Sequence, residues 1–195
     1  IVAGMGGSAI GGDVVSVLEK ECIDVPFFVC RVYFLPNWVN KNTLVICSSY
    51  SGNTEEILSA LDDSMVKGAQ VCGITTGGSL AKKLESENKD VVIIPGGLQA
   101  RAALAYSFIP MIKLLQKIGI YDSKIDSWLP SVIKSLLNDR ELHSQDSKEN
   151  PIFKLADQIQ TFKTHKANLE FKNTNQLLKF NTHQEVPIRI LYPND

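Results

Sequence analysis

The sequence predicts an α/β fold, a parallel five-stranded sheet with flanking helices. Over the first 120 residues, short apolar runs alternate with stretches in which apolar residues recur at helical spacing. This alternation is typical of strands joined by crossover helices. Several runs, such as Leu44–Cys47 and Val91–Ile94, contain no polar residue. Unbroken apolar runs favour strands that are covered on both faces, as those of parallel sheets are.

The positions of the apolar residues give the individual elements. The predicted strands are Ile1–Ala3, Pro26–Val32, Thr43–Cys47, Ala69–Thr75 and Asp90–Ile94. The predicted helices are Gly11–Lys20, Thr54–Lys67, Leu80–Glu87 and Arg101–Ile118. Gly68 is expected to end the second helix, and Ser79 is a candidate N-cap of the third. Pro110 predicts a kink or a split in the fourth.

The pattern changes after Tyr121. The polar stretch His143–Asn150 predicts a boundary, a further helix begins at Pro151, and Val186–Tyr192 resembles a strand. Ser127–Leu142 predicts one amphipathic helix, with the inward-facing residues Leu129, Val132, Ile133, Leu136 and Leu137. The sequence opens inside an apolar strand and ends without a closing helix, so we expect a fragment of a longer protein.

Composition and charge exclude several classes of protein. The chain is 44% hydrophobic and 21% charged, as ordinary globular proteins are. Its 20 basic and 21 acidic residues give a net charge of −1, which argues against nucleic acid as a partner. No apolar run is long enough to span a bilayer and no signal-peptide pattern is present, so we expect no membrane partner.

Cysteines and histidines are placed in ways that argue against metal binding. The four cysteines are far apart in sequence and form no C-x-x-C pair: Cys22, Cys30, Cys47 and Cys72. We interpret Cys30, Cys47 and Cys72, which lie in apolar, strand-like stretches, as core residues in a reducing compartment, which predicts a cytoplasmic protein. The three histidines have no ligand spacing to one another: His143, His165 and His183. We therefore expect no metal site.

The first strand is followed by a glycine-rich segment, Gly4–Asp13, with five glycines in its first nine residues. Glycines let the backbone approach a ligand closely, although such a segment can also serve only as a tight turn. The spacing of Gly4, Gly6 and Ala9 also fits the dinucleotide pattern G-x-G-x-x-A. That alternative is disfavoured because no acidic residue ends the second strand, where Arg31 follows Cys30.

The third strand is followed by a hydroxyl-rich segment, Ser48–Glu56, at the start of a helix. Helix N-termini offer unpaired N–H groups and a partial positive charge, which together favour a phosphate. Ser49, Ser51 and Thr54 can add hydroxyl donors. The competing interpretation is a capping box made by Asn53 and Glu56, with the acidic residues serving only the helix dipole. Asp13 has the same dipole interpretation in the first helix.

Parallel strands place these segments together. The loops that follow neighbouring strands meet at the carboxyl edge of the sheet, where ligands of open α/β folds bind. The segment Pro95–Arg101 follows the last strand and should reach the same edge. Arg101 is a candidate to contact a phosphate or to stabilise charge on a substrate oxygen; the alternative is an ordinary surface arginine.

Together these segments resemble the sugar isomerase (SIS) domain and, more narrowly, the bifunctional phosphoglucose/phosphomannose isomerases. The resemblance is carried by Gly4–Asp13, by Ser49–Glu56 and by Pro95–Ala103, and Asn150–Ala156 is similar to the helix that opens the family's second SIS half. It implies a first SIS domain at residues 1–120, a connecting helix and loop at 121–150, and part of a second, incomplete SIS half at 151–195.

The resemblance also implies a function and its residues. Gly7 and Ser8 would contact the substrate, Ser49, Ser51 and Thr54 would hold its phosphate, and Arg101 would lie beside the reacting carbons. The implied enzyme is an aldose–ketose isomerase that interconverts glucose 6-phosphate or mannose 6-phosphate with fructose 6-phosphate through an enediol. It needs no cofactor, and the family resemblance implies a homodimer.

The sequence departs from the family in its catalytic motifs. The family's base is a glutamate in an Asn-Glu-Asn-Ala-Lys segment, and the nearest stretch here, Asn181–Glu185, has Thr182 in its place. The family's His-Asn-Glu motif would follow Asp195. The general base therefore stays unassigned, with His183 and Glu185 as candidate substitutes. The alternative function is a non-catalytic SIS module that binds or senses a phosphosugar.

Overall fold

Five parallel strands form one sheet in the first of two units into which the chain divides, Ile1–Lys124 and Ile125–Asp195. The computed structural model describes residues 1–18, 23–99, 102–120, 125–145 and 150–161. The strands are β1 (Val2–Gly4), β2 (Val29–Cys30), β3 (Leu44–Ser49), β4 (Gln70–Thr75) and β5 (Asp90–Ile93). Their order, β2-β1-β3-β4-β5, is that of the flavodoxin-like doubly wound sheets. The predicted fold class is confirmed, although β2 is much shorter than predicted.

Four helices flank this sheet: α1 (Gly6–Leu18), α2 (Glu55–Val66), α3 (Gly78–Ser86) and α4 (Leu104–Lys117). Helix α1 packs against α4, and α2 contacts α3. Gly68 ends α2 with φ +69°, as predicted. Helix α4 continues through Pro110, so the expected split is absent there. A cluster of buried residues under α2 and α3 includes Val45, Cys47, Ile57, Leu61, Leu80 and Leu84.

Most of the glycine-rich segment is helix. Helix α1 begins at Gly6, five residues before the predicted start, and contains Gly11 and Gly12. A Cβ on Gly11 would lie 2.5 Å from the Cβ of Ser107 in α4. A Cβ on Gly12 would lie 3.1 Å from side-chain carbons of Val2 and Val29. These two glycines therefore let α1 pack closely on its neighbours, a role that neither the ligand-approach nor the tight-turn interpretation of the segment anticipated.

The second unit contains α5 (Ile125–Ser144) and a helical stretch at residues 151–161. Asn150, 1% exposed, joins them, because its amide donates to the carbonyl oxygens of His143 and Gln145 at 2.8 Å each. The apolar stripe of α5 was predicted to face inward but is exposed, by 39% at Val132 and 61% at Leu136. The described part of this unit supplies no surface that covers the stripe. No described helix combines the length and apolarity that a membrane crossing requires.

Candidate phosphate site at the strand ends

The strand ends are aligned at the carboxyl edge of the sheet. Gly4 of β1 pairs with Ser48 of β3, and Ser49 pairs with Thr75 of β4. Strand β2, which follows β1 in the chain, lies on one side of the β1–β3 pair, and β4, which follows β3, lies on the other side. The gap between β1 and β3 is thus the switch point of the sheet, where ligands of this architecture bind. The N-termini of α1 and α2 both lie at this gap, and the segments that follow β1 and β3 meet at the carboxyl edge of the sheet, as predicted.

The N-terminus of α1 has unpaired donors. The carbonyl oxygen of Met5 accepts the amides of Ser8 at 3.1 Å and Ala9 at 3.4 Å. The preceding amides, of Gly6 and Gly7, make no hydrogen bond to any residue that the structure describes. The Ser8 side chain is buried, with 7% exposure, and its hydroxyl likewise has no partner among those residues. Two amides and one hydroxyl are therefore available at the positive end of this helix.

Ser49 and Thr54 form a hydroxyl pair at the start of α2. Their Oγ and Oγ1 atoms are 2.8 Å apart, and the Ser49 oxygen also accepts the amide of Gly52 at 3.1 Å. One hydroxyl hydrogen lies between the two oxygens, so the pair has one further hydrogen to donate. Ser49 is only 2% exposed, whereas Thr54 is half-buried.

Ser51 and the first turn of α2 add further donors. The Ser51 oxygen accepts the amide of Asn53 at 3.2 Å, which leaves its hydroxyl hydrogen available on an exposed side chain. The carbonyl oxygen of Thr54, the N-cap of α2, accepts the amides of Ile57 and Leu58 at 3.1 Å each. The first-turn amides before them, of Glu55 and Glu56, have no acceptor in the described part of the chain.

The β4–α3 loop fixes the shape of this phosphate loop, Ser49–Thr54. The Oδ1 atom of Asn53 accepts both the amide and the hydroxyl of Ser79 at 3.0 Å. The carbonyl oxygen of Gly52 accepts the amide of Leu80 at 2.8 Å. Asn53 was predicted to cap α2 and Ser79 to cap α3, and both predictions were wrong, because the N-caps are Thr54 and Gly77. The amides of Ser79 and Leu80 in the first turn of α3 are thus hydrogen-bonded to oxygens of the phosphate loop.

Gly52 is the position where the two loops come closest. Its φ of +69° is in the left-handed region, and a Cβ there would lie 1.9 Å from the carbonyl oxygen of Gly77. In the same β4–α3 loop, Thr76 donates its amide at 3.0 Å and its hydroxyl at 2.7 Å to the Tyr50 carbonyl oxygen. These contacts were not predicted, because a glycine or a threonine in a sequence does not indicate which loop it faces.

Charged groups near the site pair with one another or lie at the helix end. Asp13 is the eighth residue of α1 and forms an ion pair with Arg31, so its predicted role at the helix dipole was wrong. Glu55 and Glu56 occupy the first turn of α2. The charge of Glu55, followed by that of Glu56, raises the pKa of the Tyr33 phenol.

Cys47 and Cys72 are buried core residues, as predicted, whereas Cys30 is only half-buried. Cys30, Cys47 and Cys72 are free thiols. Burial, assisted by the charge of Asp90, raises the pKa of Cys72 to about 11, and burial raises the pKa of Cys47 further. Both thiols are therefore neutral near pH 7. Among the described residues, no group of three or more His, Cys, Asp or Glu side chains is arranged to hold a metal ion.

The structure brings five of the six predicted site residues to the switch point. Gly7 and Ser8 lie at the N-terminus of α1, and Ser49, Ser51 and Thr54 lie in the phosphate loop at the start of α2. The sixth, Arg101, lies outside the described residues. The candidate bases His183 and Glu185 lie outside them as well.

Known proteins provide an independent comparison. No family model matches the chain. It is 46% identical over 149 residues, 76% of its length, to a bifunctional phosphoglucose/phosphomannose isomerase of Caldicellulosiruptor bescii. The predicted resemblance is confirmed. A protein of the same name from Thermoplasma acidophilum is 46% identical over 112 residues, 57% of the chain. A D-glucosamine-6-phosphate 4-epimerase of Sulfolobus acidocaldarius is 32% identical over 58% of the chain and 36% of its own length.

The matched region is only part of each relative. It spans 44% of the Caldicellulosiruptor protein and 34% of the Thermoplasma protein. Among solved structures, the tagatose-6-phosphate ketose/aldose isomerase of Escherichia coli has a TM-score of 0.49 and 15% identity, covering 75% of this chain and 45% of that one. This structural likeness is loose, so the candidate site is inferred from the contacts above.

Proposed function

We propose that the chain holds the phosphate of a sugar phosphate at the switch point of its sheet, as part of an aldose–ketose isomerase. One observation carries the proposal: the N-termini of α1 and α2 both present unpaired amides and hydroxyls there. Unpaired donors at two neighbouring helix N-termini suit a phosphate dianion. The phosphate loop contains no lysine or arginine, so recognition would depend on neutral donors.

The proposed reaction interconverts glucose 6-phosphate or mannose 6-phosphate with fructose 6-phosphate. The names of the relatives support it. Conversion requires a base that moves a proton between C1 and C2 through an enediol. Gly7 and Ser8 would contact the sugar phosphate from the α1 side, and Arg101 would stabilise the enediolate charge. The base stays unassigned because Thr182 occupies the position of the family's glutamate.

The same family likeness supports a cytoplasmic homodimer that acts in carbohydrate metabolism.

The second candidate function is a non-catalytic module that binds or senses a phosphosugar. The threonine at position 182 favours that alternative. The epimerase among the relatives indicates that the same half of the molecule accompanies more than one reaction, so phosphosugar binding is the broader of the two proposals.

Removal of hydroxyls tests the binding site. The double variant Ser51→Ala with Thr54→Ala should weaken fructose 6-phosphate binding by about 2–4 kcal/mol, because two charge-assisted hydrogen bonds are lost. The matched control is Thr43→Ala with Ser86→Ala, which removes the same two hydroxyl types just before β3 and at the end of α3. Calorimetric titration of both proteins should show weakened binding only in the first; equal affinities would refute the site.

A coupled assay separates the two functions. Conversion of fructose 6-phosphate to glucose 6-phosphate supports the isomerase. Binding without turnover supports the sensing module, and neither binding nor turnover refutes both.

A further inference from the structure

Ser48 has a buried hydroxyl that forms no hydrogen bond with any residue that the structure describes. Ser48 is 1% exposed and is the fifth residue of β3, directly before Ser49 of the phosphate loop. A buried hydroxyl that stays unpaired costs free energy, so native proteins rarely keep one without a partner. Because Ser48 lies at the switch point, its hydroxyl is a candidate to bind the ligand.

The Ser48 side chain lies on the α1 face of the sheet. Ser48 pairs with Gly4 of β1, and paired residues of neighbouring strands share a face. A Cβ on Gly4 would lie 2.9 Å from the backbone nitrogen of Ala9 in α1. Val2, on the same face as Gly4, contacts α1 as well, because a Cβ on Gly12 would lie 3.1 Å from its Cγ1 atom. The Ser48 hydroxyl therefore faces the layer of α1, level with the first turn of that helix.

Ser49 lies on the opposite face. Successive residues of a strand point to opposite faces of the sheet, and the Ser49 hydroxyl bonds to that of Thr54 at the start of α2. Two consecutive serines thus direct one hydroxyl to the α1 side of the switch point and one to the α2 side. Ser8, in the first turn of α1, adds a second buried hydroxyl on the α1 side.

The hydroxyls on the two sides differ in what they can still bind. The oxygens of Ser49 and Ser51 already accept amides of their own loop, so these residues offer mainly donors, and a phosphate dianion only accepts hydrogen bonds. Ser8 and Ser48 have both the hydrogen and the oxygen lone pairs unused among the described residues. A group that both donates and accepts suits such hydroxyls, and a sugar hydroxyl is such a group.

We propose that Ser48 binds a hydroxyl of the sugar on the α1 side of the site, while the phosphate loop holds the phosphate. The proposal rests on the proposed function, because it assumes a sugar phosphate at the switch point. The sugar hydroxyl would pair the buried hydroxyl of Ser48, whereas inorganic phosphate would leave it unpaired. Ser48 therefore determines specificity for a sugar phosphate over a bare phosphate, since a buried polar group that only the right ligand pairs disfavours the others.

Ser48→Ala removes the hydroxyl and little else. In calorimetric titrations it should weaken fructose 6-phosphate binding about 3- to 10-fold, the factor for one net hydrogen bond, and change inorganic phosphate binding less than about twofold. Ser51→Ala with Thr54→Ala should weaken the binding of both ligands. Equal weakening of both ligands by Ser48→Ala would put its hydroxyl at the phosphate, and an unchanged affinity for both would remove it from the site. Either result overturns the proposal.

Ser64→Ala is the matched control for ligand affinity. Ser64 is as buried as Ser48, but its hydroxyl donates to the carbonyl oxygen of Ala60 within α2, so its removal should change the affinity for neither ligand. Urea unfolding without ligand checks the premise. Ser48→Ala should keep or raise the unfolding midpoint, because it removes a buried hydroxyl that is unpaired. A lowered midpoint would mean that the hydroxyl is bonded within the protein and would overturn the proposal.

The unmodified protein separates this proposal from the proposed function. If it binds fructose 6-phosphate and Ser48→Ala binds that ligand equally well, only the role of Ser48 fails. Weaker binding by Ser48→Ala supports that role even in a protein without turnover, in which case only the isomerase proposal fails. If the unmodified protein does not bind fructose 6-phosphate, the proposed function is refuted and this inference with it.

Discussion

Gly52→Ala should damage the phosphate loop far more than the same change at Gly68. Both glycines have φ +69°, where an alanine costs about 1–2 kcal/mol of strain. No atom lies within 4 Å of a Cβ on Gly68, so strain is its whole cost. At Gly52 the new carbon would lie 1.9 Å from the Gly77 carbonyl oxygen and 2.7 Å from the Thr75 hydroxyl oxygen. The neighbouring loops have to move apart.

The size of that movement gives the expected loss. Contacts shorter than 3.0 Å are essentially never made by a Cβ, so the two loops must separate by at least about 1.1 Å. That movement breaks the bond from Leu80 to Gly52 and strains those from Thr76 to Tyr50. With about 0.5–1.5 kcal/mol net for each bond, Gly52→Ala should lose about 3–5 kcal/mol of the free energy of unfolding.

Urea unfolding of the two variants measures the difference. Gly52→Ala should also bind fructose 6-phosphate at least about tenfold more weakly, because its donors are displaced, whereas Gly68→Ala should bind it as the unmodified protein does. If the two variants lose the same stability, the phosphate loop does not pack on the β4–α3 loop as described, and the reasoning for a preformed phosphate site fails with it.

Two further predictions concern the packing beneath the site. Gly11→Ala should lower the free energy of unfolding by about 1–3 kcal/mol, because its Cβ would lie 2.5 Å from that of Ser107; adding Ser107→Gly should cost less than the sum of the two single changes in the same urea titration. Burial acts to raise the pKa of Asp63, but hydrogen bonds from Lys67 and the Leu35 amide outweigh it, so the pKa is lowered. Because the pKa of Asp63 is lower in the folded than in the unfolded protein, the ionised carboxylate stabilises the fold at pH values above the unfolded-state pKa of ~3.9. This stabilisation is lost as the pH falls through the folded-state pKa. In urea titrations, the stability advantage over Asp63→Asn should therefore be constant between about pH 5 and pH 8 and shrink below about pH 4. An advantage that does not shrink as the pH falls below about 4 would contradict this prediction.

The sheet and its strand ends could be predicted from the sequence because short, unbroken apolar runs between helical stretches are typical of buried parallel strands. The position of Ser51 and Thr54 at the start of α2 could be predicted as well, and their role at an anion, which hydroxyls at a helix start favour, stays a prediction. The partners of the glycines could not be predicted. Ser107 leaves no room for a Cβ at position 11, and the Gly77 carbonyl oxygen leaves none at position 52. These contacts join segments that lie 25 or more residues apart in the sequence.

Capping was predicted wrongly for a related reason. Asn53 precedes α2 by two residues, so local rules favour it as a cap, but its side chain bonds to Ser79 across the edge of the sheet. The hydrogen bonds to Ser79 in the neighbouring loop thus replace the local capping bond. The stripe of α5 is a different case: its periodicity predicted the helix correctly, and periodicity alone cannot say what covers the apolar face.

The hydroxyl pair of Ser49 and Thr54 can donate its free hydrogen from either of two positions without a movement of the loop. The hydrogen between their oxygens, 2.8 Å apart, can belong to either residue, and the outward O–H then belongs to the other. Rotation about the two C–O bonds therefore switches the outward donor between Ser49 and Thr54, while every heavy atom keeps its place. If the loop binds a sugar phosphate as proposed, a phosphate that shifts slightly as the sugar changes shape would stay hydrogen-bonded to a loop that does not move with it.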